Sequence, residues 1–246
     1  MVKNMVKAVN NPKISKHNFR YERKFIFQNI HLDDLIATQI NTNSFCFHEI
    51  FEKRTINNIY FDDYNYSFYK ENVSGDGTRK KYRLRWYNDV FSEVKKPTIE
   101  IKQKFGEVGD KISYKIKDFL IDLDSVSATE INSSLIEHLE KTEHRELVSK
   151  LENLHPTLYN SYERKYFLSN CEKFRITLDF NMKFYNPNTF NQNNIIKNQI
   201  DEIILELKYD IEHDIESRTL TQEINSRLSK NSKYVRGVDF INYQIT

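Results

Sequence analysis

Cysteine is scarce in this 246-residue chain, which has only Cys46 and Cys171. Two thiols cannot build a disulfide framework, and their spacing is not that of metal ligands, so a reducing compartment such as the cytoplasm fits best. Glycine and proline are also few, at 5 and 4 residues, which excludes collagen-like and low-complexity chains. No apolar run approaches the roughly 18 residues of a membrane helix. The polar start "MVKNMVKAVNNPKISKHN" has no signal-peptide core, and residues 1–18 are expected to be a flexible N-terminus. Surplus charge is lacking too: 37 lysines and arginines face 35 acids, a net +2. A uniformly basic nucleic-acid binder is therefore not indicated, and any cationic face must be balanced by acids elsewhere. Aromatic residues are plentiful at 13%, within a 39% hydrophobic fraction that can bury a sizeable core.

Strand patterns dominate. "RYERKFIFQ" (20–28) reads as a first strand, "HLDDLIATQI" (31–40) as a helix with acids in its first turn, and "FEKRTINNIYFDD" as strand. "YNYSFYKEN" reads as a short helix closed by "SGDG" (74–77), a turn with no strand-to-helix context for a phosphate loop. "KYRLRWY", "TIEIKQKF" and "KISYKIK" then form an antiparallel meander. Residues 118–154, including "DFLIDLDSV", read as outer helices. Strand patterning returns in "LYNSYERKYFLS", "KFRITLDFNMKFY" and "EIILELKYD", and a last helix is expected to contain Ile224 and Leu228. No linker divides the chain, so residues 19–246 are expected to form one domain.

Successive side chains of a strand point to opposite faces. Lys81, Arg83 and Arg85 therefore share a face opposite Tyr82, Leu84 and Trp86, and Glu100, Lys102 and Lys104 oppose Ile99 and Ile101. Lys111, Ser113 and Lys115 oppose Ile112, Tyr114 and Ile116, while Lys173, Arg175, Thr177 and Asp179 oppose Phe174, Ile176, Leu178 and Phe180. Glu206 and Lys208 oppose Leu205, Leu207 and Tyr209, Glu22 lies with Lys24, and Arg164 lies between Tyr162 and Tyr166. A solvated sheet face explains any one strand. Taken together the faces carry far more cations than acids, and the acids recur as Glu-x-Lys, whereas solvated faces intermix signs because like charges opposed across strands destabilise a sheet.

If about eight strands close into an antiparallel barrel with helices outside, an α+β fold, these faces line a common polar tunnel. Such a lumen repels itself when empty and suits a string of phosphates. Glutamates among the cations, at Glu22, Glu100 and Glu206, fit only if a divalent cation bridges carboxylate and phosphate oxygens.

The segments "RYERKF", "KYRLRWY", "IEIKQK", "SYERKYF", "FRITLDF", "LELKYD" and "SKYVRG", in this order from about residue 19 to 240, resemble the VTC domain. That family is the polyphosphate polymerase branch of the triphosphate tunnel metalloenzymes. The resemblance implies a tunnel enzyme using Mn2+ or Mg2+, which transfers the terminal phosphate of a nucleoside triphosphate such as ATP to a polyphosphate chain. It implies phosphate ligation by Lys24, Arg83, Arg85, Lys102, Lys115, Arg164, Arg175 and Lys233, joined by Lys208, and metal ligation by Glu206. Arg83, Arg85, Lys102, Arg164 and Arg175 would form the catalytic set that neutralises the transferring group. Lys111 competes with Lys115 for its position, and Lys230 with Lys233.

Arg20 stands where the wider superfamily has the first glutamate of Glu-x-Glu-x-Lys, which tilts the resemblance away from the CYTH-type cyclases and phosphatases. The SPX domain and membrane helices of the eukaryotic polymerases are missing, which leaves a membrane partner open. Inorganic triphosphatase or nucleoside triphosphatase activity, and non-catalytic polyphosphate binding, are the alternatives. Nucleic-acid binding is disfavoured because the aromatics alternate away from the cations. The seven histidines are scattered, Trp86 is expected to pack beneath outer helices, and Asp179 is either a second metal ligand or a structural ion-pair partner.

Overall fold

The computed structural model describes residues 20–87, 91–106, 108–190 and 198–242; the expectation for residues 1–18 falls outside them. The strands are β1 (Arg20–Gln28), β2 (His48–Asp62), β3 (Thr78–Trp86), β4 (Glu93–Lys95), β5 (Thr98–Phe105), β6 (Val108–Lys115), β7 (Leu120–Asp122), β8 (His155–Leu168), β9 (Arg175–Tyr185), β10 (Asn198–Ile200) and β11 (Glu202–Asp210). The helices are α1 (Leu32–Leu35), which runs into a π-helical turn at Ile36–Ile40, α2 (Ser67–Ser74), α3 (Ala128–Glu140), α4 (Val148–Leu151), α5 (Asp214–Gln222) and α6 (Lys233–Asn242).

Eight strands follow the order β9-β11-β1-β6-β5-β3-β2-β8, and pairing of β8 with β9 closes them into an antiparallel ring. Closure removes the unpaired edges that an open sheet would leave. The seam between β1 and β6 is narrow, a single pairing of Arg20 with Gly109. Outward side chains are apolar and are covered in sectors. Leu84, Trp86, Ile99 and Ile101 lie beneath Ile131, Leu135 and Leu139 of α3, with Leu147 and Leu151 beside them. Phe25, Ile176, Leu178, Leu205 and Leu207 pack with Leu35, Ile40 and Leu220. α6 differs in packing against the inner face: its Tyr234, Val238 and Ile241 lie on Ile56, Leu158, Met182 and Phe184, in one cluster with the cavity-lining Tyr60 and Tyr162.

Local chemistry fixes the helix ends. Ser127 and Glu130 form a reciprocal capping box at the start of α3, and Gly75, at φ +79°, closes α2 within the expected "SGDG" turn. Asp62, at the end of β2, accepts hydrogen bonds from the Phe68 and Tyr69 backbone N–H groups and from the Tyr234 hydroxyl at 2.6 Å. One buried carboxylate thus fastens both α2 and α6 to the ring.

Two expectations are corrected. "DFLIDLDSV" is not helical: Phe119, Ile121 and Leu123 are buried in strict alternation, and β7 pairs with β4 in a separate two-stranded sheet. The last helix does not run through Ile224 and Leu228. α5 stops at Gln222, Leu228 bridges to Phe25, and the Ser229 N–H donates to the Lys24 carbonyl. Backbone pairing to the middle of β1 replaces helix there, and the helix reforms as α6.

Candidate functional site

The inner faces of the ring enclose a cavity of about 480 Å³. Because side chains alternate along each strand, every wall delivers its polar set to this one space. Twelve lysines and arginines line it against five carboxylates. Lys24, Arg83, Arg85, Lys102, Arg164, Arg175, Lys208 and Lys233 are all brought together here, with Glu22 and Glu206. Lys111 lines the cavity and Lys115 does not. β6 stays paired with β5 as far as Lys115 but meets β1 only at Gly109, so Lys115, opposite Thr98, has no β1 residue paired beside it and is exposed. Lys230 is exposed, whereas Lys233, at the start of α6, reaches the interior.

The lumen is less self-repelling than the sequence suggests, because each buried carboxylate is shared among several cations. The buried Glu100 receives Arg83 at 2.5 Å and Lys111 at 2.8 Å, with Arg85 at 3.5 Å. Arg85 is further held by the Asn58 side-chain oxygen at 2.8 Å and the Tyr162 hydroxyl at 3.2 Å. Glu206 lies 2.8 Å from Lys208 and 4.0 Å from Lys24, and Glu22 lies 2.5 Å from Lys102. Asp179, fully buried, takes a bidentate Arg164 and also Lys233 at 2.5 Å. It is an ion-pair partner in this structure, one of the two readings the sequence left open.

The protonation equilibria follow from this geometry. Burial alone would push the Glu22 carboxyl up, but Lys102, with Lys208 and Lys24, outweighs it and brings it to about 2. Glu206 is likewise held well below the carboxylate range against its burial by Lys208, Lys24 and Arg164. Burial opposes ionisation of Asp179, yet Arg164 and Lys233 bring it to about 2. Lys81 goes the other way: burial, reinforced by repulsion from Lys24, Lys102, Arg79 and Arg83, pushes its ammonium well below the ordinary lysine value. It has no carboxylate partner among the described residues and donates to the Ser232 hydroxyl at 2.8 Å.

Sequence reasoning put Lys81 on the right face but not among the site residues, and the alternation it shares with Arg83 and Arg85 is the signal that finds it. The aromatics do not all turn away from the cations: Tyr60, Tyr87, Tyr162 and Tyr166 also line the cavity. Among the described residues no three His, Cys, Asp or Glu side chains gather as a ready metal site, and no helix is long and apolar enough to cross a membrane.

The family model described as the VTC domain matches residues 19–242. A candidate adenylate cyclase from Vibrio parahaemolyticus has a similar structure, with a TM-score of 0.50 at 13% identity over 89% of this chain and 97% of that one. A candidate adenylyl cyclase from Hippeastrum, described as having a dominant triphosphatase activity, superposes with a TM-score of 0.50 at 12% identity, covering 89% of this chain and 94% of that one. At these identities the likeness concerns the fold alone. No curated protein sequence matches the chain.

Proposed function

Because the chain belongs to the VTC domain family, we propose that it is a metal-dependent enzyme acting on triphosphates, which transfers the terminal phosphate of a nucleoside triphosphate to a polyphosphate chain. The observation that carries this reading is the composition of the lumen: twelve lysines and arginines converge on one cavity that also holds the ionised Glu22 and Glu206. Besides pairing with the cations, these two carboxylates are placed to share a divalent cation with substrate phosphates.

Phosphoryl transfer needs no protein nucleophile, only in-line positioning and neutralisation of charge. Arg83, Arg85 and Arg164 present guanidinium forks suited to bidentate phosphate contact, and Lys24, Lys102, Lys208 and Lys233 supply compact charge. The carboxylates that now pair with these cations hold them in place until phosphate oxygens compete for them. Arg175, at the exposed start of β9, is open to an incoming anion.

Mn2+ or Mg2+ fits the donor set. Glu22 and Glu206 are diagonal neighbours across the β1–β11 ladder, and such hard cations bind through one or two carboxylates plus substrate phosphates. Bound there, the ion would neutralise phosphate charge and polarise the transferring group. Glu100 suits this less, since both its oxygens are engaged by Arg83 and Lys111. The acceptor, a phosphate oxygen already ionised near neutral pH, needs no strong base.

Triphosphate hydrolysis is the second reading, favoured by the triphosphatase activity described for the Hippeastrum neighbour. Incubation with ATP and manganese, with products resolved by gel electrophoresis, distinguishes the two. A ladder of phosphate chains with ADP is expected, and stoichiometric free phosphate without a ladder would replace polymerase with triphosphatase. Glu206→Gln should lower turnover by orders of magnitude while the fold persists. Activity within about threefold of wild type at equal metal would remove Glu206 from the site.

A further inference from the structure

The rim of the cavity carries a feature that phosphate binding does not use. β2 shifts register against β8 between Glu49 and Phe51 and again between Phe51 and Arg54. Such irregularities re-aim side chains at the rims of closed sheets and beside active sites. Here they bring three flat groups together. The Arg54 guanidinium lies 4.8 Å from the Phe51 ring centroid and 5.6 Å from that of Tyr166, and the two rings meet edge to face at 5.6 Å. Tyr166 lines the cavity, as does Tyr87.

Phe51 of this stack is 48% exposed, and Tyr87, which lines the same cavity as Tyr166, is 51% exposed, so both rings are surface left for contact. Among the described residues Arg54 has no carboxylate partner; opposite it across the ladder stands Arg164, itself committed to Asp179. An uncompensated guanidinium and half-exposed rings present π faces, and a base stacks on such faces whatever its sequence identity. Inorganic triphosphate has no group that would use them.

We propose that Phe51, Arg54, Tyr87 and Tyr166 form a base-stacking platform at the mouth, which makes the cavity prefer a nucleoside triphosphate to inorganic triphosphate. The assignment rests on reading the lumen as a triphosphate site. With the phosphates drawn inward by the lumen cations, the nucleoside is left at the rim, where Tyr166 joins the platform to the cavity wall. One stacking contact is enough to change selectivity measurably while leaving the phosphate contacts untouched.

The test is titration calorimetry of the full chain with ATP and with inorganic triphosphate, each with manganese, for wild type, Tyr87→Ala, Phe51→Ala and Arg54→Gln. Loss of one base-stacking contact should weaken ATP about tenfold in each variant, with triphosphate affinity kept within about twofold. Quenching of a fluorescent etheno-adenine nucleotide on binding should fall in parallel. Equal losses for both ligands, or unchanged ATP affinity in all three variants, overturns the platform while the triphosphate reading stands. If wild type fails to bind inorganic triphosphate, the lumen reading falls and the platform falls with it.

Discussion

Replacing Asp179 with Asn tests how the lumen is held together. Asp179 is fully buried and is the shared partner of Arg164 and Lys233, both nearly buried themselves. Asn keeps the volume and one acceptor oxygen but removes the charge, leaving two cations in an interior that had one anion for both. Breaking a buried ion pair from one side costs about 3–5 kcal/mol, because the remaining charge is uncompensated. The retained amide oxygen puts the expectation at the lower end, about 3 kcal/mol. For a chain of this size that is a fall in Tm of roughly 6–12 °C. Urea denaturation monitored by far-ultraviolet circular dichroism gives the free energy directly. A double-mutant cycle with Lys233→Met isolates the cause, since removing the second cation should recover part of the loss and make the two changes non-additive. Lys141→Ala serves as the control, its partner Glu137 lying one turn away on the exposed face of α3; it should leave Tm unchanged. A loss below about 1 kcal/mol for Asp179→Asn, or strict additivity with Lys233→Met, would refute the shared-anion account.

Lys81 predicts a pH effect of the same sense as an acid transition, displaced to a higher pH window. Its folded pKa is depressed by burial and by Lys24 and Lys102, so between that value and the ordinary lysine pKa of about 10.4 the unfolded chain binds more protons and stability rises with pH. Lys81→Met should raise stability near neutral pH and flatten this rise; urea midpoints no higher than wild type, with the same slope, would contradict it. Gly237 sits where α6 touches the ring, and a Cβ built there would lie 2.4 Å from Leu158 Cδ2 and 2.7 Å from Phe184 Cδ1. Gly237→Ala should therefore destabilise by about 1–3 kcal/mol through overpacking. A thermal midpoint equal to wild type would show that α6 can retreat without loss.

Much of the ring was legible because its signal is local. Alternation with period two is written into each strand, so "KYRLRWY", "IEIKQK" and "KFRITLDF" assigned their cationic faces without reference to any partner strand. The same local rule misread "DFLIDLDSV", a stretch short enough to satisfy helix and strand templates alike, which pairing with Glu93–Lys95 decided. Which lysine of β6 enters the lumen could not be read from one strand. Lys111 and Lys115 share a face, and only the tertiary structure brings Lys111 to the cavity wall, paired with Glu100, while Lys115 stays in solvent. The partners of the cations were equally hidden: Asp179 meets Lys233 across 54 positions of sequence, and Glu22 meets Lys102 across 80. A side chain's face is set by its own backbone and survives in the sequence. Which charges neutralise one another is set by closure of the ring, and that exists only once distant strands have met.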